Sequence, residues 1–295
     1  MSALTTAPWL LGAAATGASL WLALNAAIRH GLRAPRVPNA CDPAQRGQPF
    51  ARVRIPTVRG KALAGWLLPA AAERAAPALI VLHGWGANSA MMLPLAAPFR
   101  RAGYALLFID ARCHGASDGD SFASLPRFAE DLESAFDWLR VRPGVDPRRI
   151  ALLGHSVGAA AALLLAARRN EVAAVVSIAA FAHPENAMRR YLAARRIPFR
   201  PVGWYVLRYV QKTIGQRFAQ IAPQHTMARI ACPVLLVHGA EDATVPLEDA
   251  RLIHAARRDE RSKLLVVAGS HDDYRELEQR ADEVIDFVNG ALERG

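Results

Sequence analysis

Six short apolar runs, at 79–82, 105–109, 150–153, 173–178, 234–237 and 264–267, are separated by longer stretches with helical periodicity. A strand that is apolar at consecutive positions must be covered on both faces, and intervening helices supply that cover. The alternation therefore predicts an α/β fold, a mostly parallel sheet with helices on both sides. An antiparallel hairpin over about 52–58 and 62–68 is expected to precede it. The chain has 295 residues, 52% of them hydrophobic, enough to bury a large core. Parallel sheets carry their functional loops at the carboxyl ends of the strands, so the loop after each run is where chemistry is expected.

Behind the run at 150–153 stands Gly154-His155-Ser156-Val157-Gly158, which leads into an alanine- and leucine-rich helical segment ending near Arg169. A sharp strand-to-helix turn holds its central residue in a strained conformation, and glycines on either side remove side chains that would clash. Ser156 is the candidate nucleophile, with the Val157 N–H at the helix start aimed at any oxyanion forming beside it. A serine hydroxyl needs a base and a carboxylate to orient that base. The run at 234–237 is followed by His238-Gly239-Ala240-Glu241-Asp242, making Asp242 the candidate acid. The run at 264–267 leads to Ala268-Gly269-Ser270-His271-Asp272-Asp273, making His271 the candidate base ahead of a final helix over about 274–289.

Two further loops fit this scheme: His83-Gly84-Trp85-Gly86-Ala87-Asn88 after the run at 79–82, and Asp110 to Gly119 after the run at 105–109. The order serine, acid, histidine, with these loops ahead of it, resembles the α/β-hydrolase superfamily over about residues 51–290. That resemblance implies that the Trp85 N–H is the second oxyanion donor. It also makes Asp110–Gly119 similar to the D-x-R-x-H-G-x-S-x-G stretch of lysophospholipase-like members, to which a structural role is assigned.

Each candidate has a plainer reading. Asp242 could cap a helix beginning near Pro246, and Asp272 and Asp273 could cap the last helix. His83, His114 and His155 are read as ordering their loops. His238 precedes the acid, where the family order needs the base after it, and Glu241 is the weaker acid candidate. Residues 181–225 interrupt the strand alternation where the family inserts a cap. They read either as an apolar acyl-binding lid or as ordinary helices packed on the core.

Residues 7–28 carry no charge and are long enough for a ~30 Å hydrocarbon core. They predict a transmembrane anchor over 1–28, with Trp9 and Trp21 near its interfaces and Arg29, Arg33 and Arg36 holding the catalytic domain in the cytoplasm. No lysine or arginine precedes Arg29, which argues against a cleaved secretory signal. Residues 29–50 would be a basic juxtamembrane linker and 51–295 the hydrolase domain. The net charge of +10 is uneven: residues 29–60 hold seven arginines and one acid, and residues 181–230 nine basic residues and one acid. Neither zone carries a nucleic-acid-binding motif. Both would be drawn to an anionic leaflet, although 33 arginines against three lysines also indicate a general arginine habit. Cys41, Cys113 and Cys232 have neither metal-ligand spacing nor a disulfide framework, as expected in a reducing compartment.

The sequence thus predicts a single-pass membrane serine hydrolase. It would cleave carboxylic esters, including lipid esters or acyl thioesters, through an acyl-enzyme on Ser156, His271 and Asp242, with no metal or organic cofactor. A serine peptidase of the same fold, or a catalytically silent fold serving as a membrane-bound binding protein, are the alternatives. Nothing in the sequence sets the oligomeric state.

Overall fold

The structure is a computed structural model describing residues 7–71, 74–273 and 275–293, with the side chains of residues 7–11 outside the description. It divides into two compact units, residues 1–34 and 35–295.

The first unit contains helix α1 (Ala7–Gly31). A helix forms where the anchor is expected, but among the described residues no helix is long and apolar enough to cross a membrane. The transmembrane anchor is corrected on that finding. The physical reason lies in the side chains: much of α1 is alanine and glycine, which offer little apolar area. Thr16, Ser19 and Asn25 add polar groups that turn back onto the carbonyls of Gly12, Ala15 and Trp21.

The second unit is built on one eight-stranded sheet. Its strands are β1 (Ala51–Thr57), β2 (Lys61–Leu68), β3 (Ala76–Leu82), β4 (Ala105–Ile109), β5 (Val145–His155), β6 (Ala174–Ile178), β7 (Val234–Gly239) and β8 (Lys263–Val267). They lie in the order β1-β2-β4-β3-β5-β6-β7-β8. The expected hairpin is β1 and β2, which pairs antiparallel to β4; every pairing from β4 through β8 is parallel. All six apolar runs fall on β3 to β8.

Helices cover both faces. α2 (Ala96–Arg101) and α11 (Ala281–Leu292) close one core, around Leu79, Leu153 and Val176. α3 (Leu125–Leu139), α4 (Val157–Ala166) and α9 (Leu247–Ala255) close the other, around Ile80, Leu152 and Val175. Every residue of α4 is buried, which accounts for its lack of any polar face. The expected single last helix is two, a short α10 (Arg275–Gln279) and α11, divided at Arg280, whose guanidinium reaches Glu276 and Glu283.

Residues 35–50, expected to be linker, are tied to this unit. Asn88 donates to the carbonyls of Val37 and Pro38, Asn39 bonds Asp110 and the Ala90 N–H, and Arg36 bonds the carbonyls of Gly115 and Ser117.

Between β6 and β7 the insertion forms α5 (Pro184–Ala194), an irregular turn over Phe199–Gly203, α6 (Trp204–Ile214), and the short α7 (Phe218–Ile221) and α8 (Pro223–Thr226). Leu207, Phe218 and Ile221 join the main core, with Val210 and Ile214 packed against it. The apolar stripe is therefore spent on packing, as in the plainer of the two readings. Arg190 pins α5 to α9 through Asp249 at 2.7 Å. The outward side carries Trp204, 48% exposed, with the Arg208 guanidinium over its ring.

Candidate active site

The turn after β5 has the strain expected of it. Ser156 sits at φ +53°, ψ −116°, a region a side-chain-bearing residue rarely adopts, at a cost of about 1–3 kcal/mol. Its N–H donates to the Ile178 carbonyl at 2.8 Å, while its own carbonyl accepts the Ala160 N–H of α4. The flanking glycines are required by contact: a Cβ on Gly154 would lie 2.3 Å from the Gly158 oxygen, and one on Gly158 would lie 2.4 Å from the His83 oxygen. Beneath the serine the chain is packed backbone against backbone.

Three strand ends meet at Ser156. His271 Nε2 lies 3.0 Å from Ser156 Oγ, and His271 Nδ1 lies 2.7 Å from Asp242 Oδ2. A carboxylate only accepts, so the imidazole proton resides on Nδ1 and the Nε2 lone pair faces the hydroxyl. Asp242 Oδ1 accepts the N–H groups of Thr244 and Val245 at 2.9 and 2.8 Å. Burial alone would raise its pKa, but the bonds from His271 and the Val245 N–H outweigh burial and hold the carboxyl below the ordinary range. Asp242 therefore does not cap α9, whose first residue is Leu247.

The remaining candidates have other work. His238 Nε2 donates to the Val245 carbonyl at 2.7 Å and lies 3.6 Å from Asp242 Oδ2, fixing the acid's loop. Glu241 accepts the Gly269 N–H, and its own N–H donates to the Gly269 carbonyl, tying the acid loop to the histidine loop. Asp273 accepts the Arg275 N–H at the start of α10. His83 Nε2 accepts the Ala111 N–H at 3.0 Å, so its proton is on Nδ1, facing the Gly84 carbonyl at 2.7 Å. Burial and the neighbouring His114 lower its pKa to about 4. The Asp110–Gly119 loop is structural as expected: buried Arg112 bonds Asp131 at 2.6 Å, Glu130 at 2.7 Å and Asp120 at 3.1 Å.

The loop after β3 reaches the serine through Gly84, where a Cβ would lie 3.3 Å from Ser156 Cβ and 2.9 Å from His155 Nδ1. Trp85 comes next, 37% exposed, its ring stacked on Phe128 at 6.4 Å. Val157 opens α4, where the first N–H groups have no intrahelical acceptor. Val157 thus follows Ser156 in the chain, and Trp85 follows Gly84, the residue of the β3 loop that packs on Ser156. Ligating atoms of His155, His271 and Asp272 come within 4.8 Å of one another. Both His271 ring nitrogens are already engaged, so a metal there would have to displace Asp242 or Ser156.

Fold and site together define an α/β hydrolase. Within that class, residues 73–225 match the model of the family described as serine aminopeptidase, S33, which covers more than half of the chain, and the chain belongs to that family. The match ends before Asp242 and His271. An uncharacterized protein of Mycobacterium tuberculosis is 28% identical over 228 residues, spanning 77% of this chain and 74% of its own. A polyketide transferase of Aspergillus fumigatus is 33% identical over 134 residues, spanning 44% and 45%. Among solved structures, the Pyrococcus furiosus esterase Pf2001 superposes with a TM-score of 0.71 at 21% identity, covering 89% of this chain and 97% of that one.

Proposed function

We propose that the chain is a serine hydrolase that cleaves carboxylic esters through an acyl-enzyme. The observation that carries this reading is the continuous hydrogen-bonded series from Ser156 Oγ through His271 to Asp242, at 3.0 and 2.7 Å. His271 Nε2 takes the hydroxyl proton as Ser156 attacks the acyl carbonyl, and Asp242 holds and supports the imidazolium. The Val157 and Trp85 N–H groups receive the oxyanion; removing one such donor typically lowers the rate by ~10²–10³. Collapse expels the alcohol or thiol with the proton returned from His271. Water activated by the same ring then hydrolyses the acyl-serine. None of these steps needs a metal or organic cofactor.

The substrate preference rests on the esterase among the structural neighbours. The family's aminopeptidase description favours a second reading, hydrolysis of amino-terminal peptide bonds. A panel of p-nitrophenyl esters of increasing acyl length, acyl thioesters and aminoacyl p-nitroanilides separates them. Ester or thioester turnover well above anilide turnover, lost in Ser156→Ala, is expected. Anilide turnover exceeding ester turnover would transfer the assignment to the peptidase.

A further inference from the structure

The residue before the nucleophile holds the base. His155 is buried, and its Nε2 lies 2.9 Å from the carbonyl oxygen of His271, with the two rings 4.8 Å apart. A carbonyl oxygen only accepts, so Nε2 carries the proton and donates it. The contact joins positions 116 residues apart in the chain. Its two ends adjoin the reacting groups: one belongs to the residue covalently before Ser156, the other to the backbone of the histidine that faces Ser156. Gly84 packs against the other ring nitrogen, where a Cβ would stand 2.9 Å away, so the imidazole has little room to rotate.

We infer that His155 is a positioning residue for His271, setting the height of its backbone over the nucleophile turn so that Nε2 meets Ser156 Oγ. The inference rests on the reading of His271 as general base. Among the described residues the backbone of the loop carrying His271 is also held at Ala268 and Gly269, through Glu276 and Glu241, and at Ser270, whose carbonyl accepts the Asp273 N–H; at none of these points is the backbone of His271 itself gripped. Misplacing a base by about 1 Å costs up to ~10²-fold in rate, so one hydrogen bond at this carbonyl carries leverage out of proportion to its strength. Charge fits the role as well. Burial, with the His271 charge beside it, lowers the His155 pKa to about 3. The ring therefore stays neutral and adds no repulsion when His271 becomes an imidazolium.

The test compares His155→Leu, which fills the site without a donor, with His155→Gln, whose amide can reach the same carbonyl. Three quantities are measured on the full chain: kcat and KM for a p-nitrophenyl ester, the downfield NMR resonance of the His271 Nδ1–H bonded to Asp242, and thermal unfolding. The expected result for His155→Leu is a kcat lower by roughly 10- to 100-fold with KM nearly unchanged, and a lost or broadened resonance. His155→Gln should recover both. Wild-type kcat and an intact resonance in the leucine variant would overturn the inference, as would equal impairment in both variants. If the leucine variant does not fold, His155→Asn, whose amide falls short of the carbonyl, replaces it and must be the slower of the pair; equal rates would overturn the inference. Should the wild type turn over no ester, the proposed activity fails on its own. The resonance then decides the positioning role: loss in the leucine variant supports it and persistence refutes it.

Discussion

The nucleophile turn and the insertion between β6 and β7 solve opposite problems. Around Ser156 the chain is closed in: Gly154 and Gly158 touch backbone that cannot move, and Asp242, His155 and His83 are buried with their hydrogen bonds directed at specific partners. In the insertion, one stripe packs on the core while the outer side presents arginines laid over aromatic rings, as at Arg189 on Phe199, Arg195 on Tyr191 and Arg208 on Trp204. Such pairs are worth about 0.5–1 kcal/mol at exposed sites and tolerate rearrangement. The first region fixes atoms to tenths of an ångström, as bond-making chemistry requires. The second leaves its outer surface adjustable.

The largest expected effect belongs to the fixed region. Asp242→Asn removes the carboxylate that sets the His271 tautomer and should lower kcat by ~10³–10⁴ with the fold retained. Steady-state kinetics with matched circular dichroism would check this, and a loss under tenfold would mean that the acid is elsewhere.

A paired alanine substitution then contrasts the two regions. At Gly158 an added Cβ meets the carbonyl oxygens of His83 and Leu82 at 2.4 and 2.6 Å, both backbone. A loss of about 3 kcal/mol or more is expected. At Gly203, before α6, the backbone is already helical and the nearest atoms, on the Phe199 ring and the Pro198 carbonyl, are 3.3 Å away. The change there should stay within about 1 kcal/mol in either direction. Chemical denaturation of both variants would sharpen the comparison, and equal losses would break it.

Acidification provides a smaller effect, to which two buried histidines of the fixed region contribute. His155 and His83 have folded pKa values lowered from 6.5 to about 3 and about 4. A lowered value means that the unfolded chain takes up protons first, so their contribution is complete above pH 6.5 and declines as the pH falls. At pH 5 each should have cost on the order of 1–2 kcal/mol. Denaturation midpoints between pH 7 and 5 should drop accordingly, and a flat profile would contradict the buried neutral rings.

The same contrast explains how much of the molecule is legible in its sequence. The central strands β3, β4, β6 and β7 are covered on both faces, so each announces itself as a continuous apolar run; β5 does so over 150–153 and the half-exposed edge strand β8 over 264–267, and the parallel order places their ends together. Ser156, Asp242 and His271 are readable because glycines and strand ends mark them locally. Less is visible where a role depends on a distant partner. His155 resembles any loop histidine until the His271 carbonyl is placed over it, and the bonds that tie residues 35–50 down, from Asn88 to Val37 and from Arg36 and Asn39 to Gly115 and Asp110, have no local pattern. The anchor expectation fails for another reason. Absence of charge over 7–28 is not the same as apolarity: alanine, glycine and hydrogen-bonded polar side chains dilute it, and among the described residues no helix is long and apolar enough to cross a membrane.

The central claim is that Ser156 is an activated nucleophile, and covalent capture tests it most directly. The purified chain would be incubated at neutral pH with a fluorophosphonate, digested and mapped by mass spectrometry, with Ser156→Ala and His271→Ala alongside. The account predicts one phosphonylated residue, Ser156, with labelling abolished in the first variant and slowed at least ~10³-fold in the second. A folded wild type that remains unlabelled, or labelling that persists undiminished without His271, would contradict it.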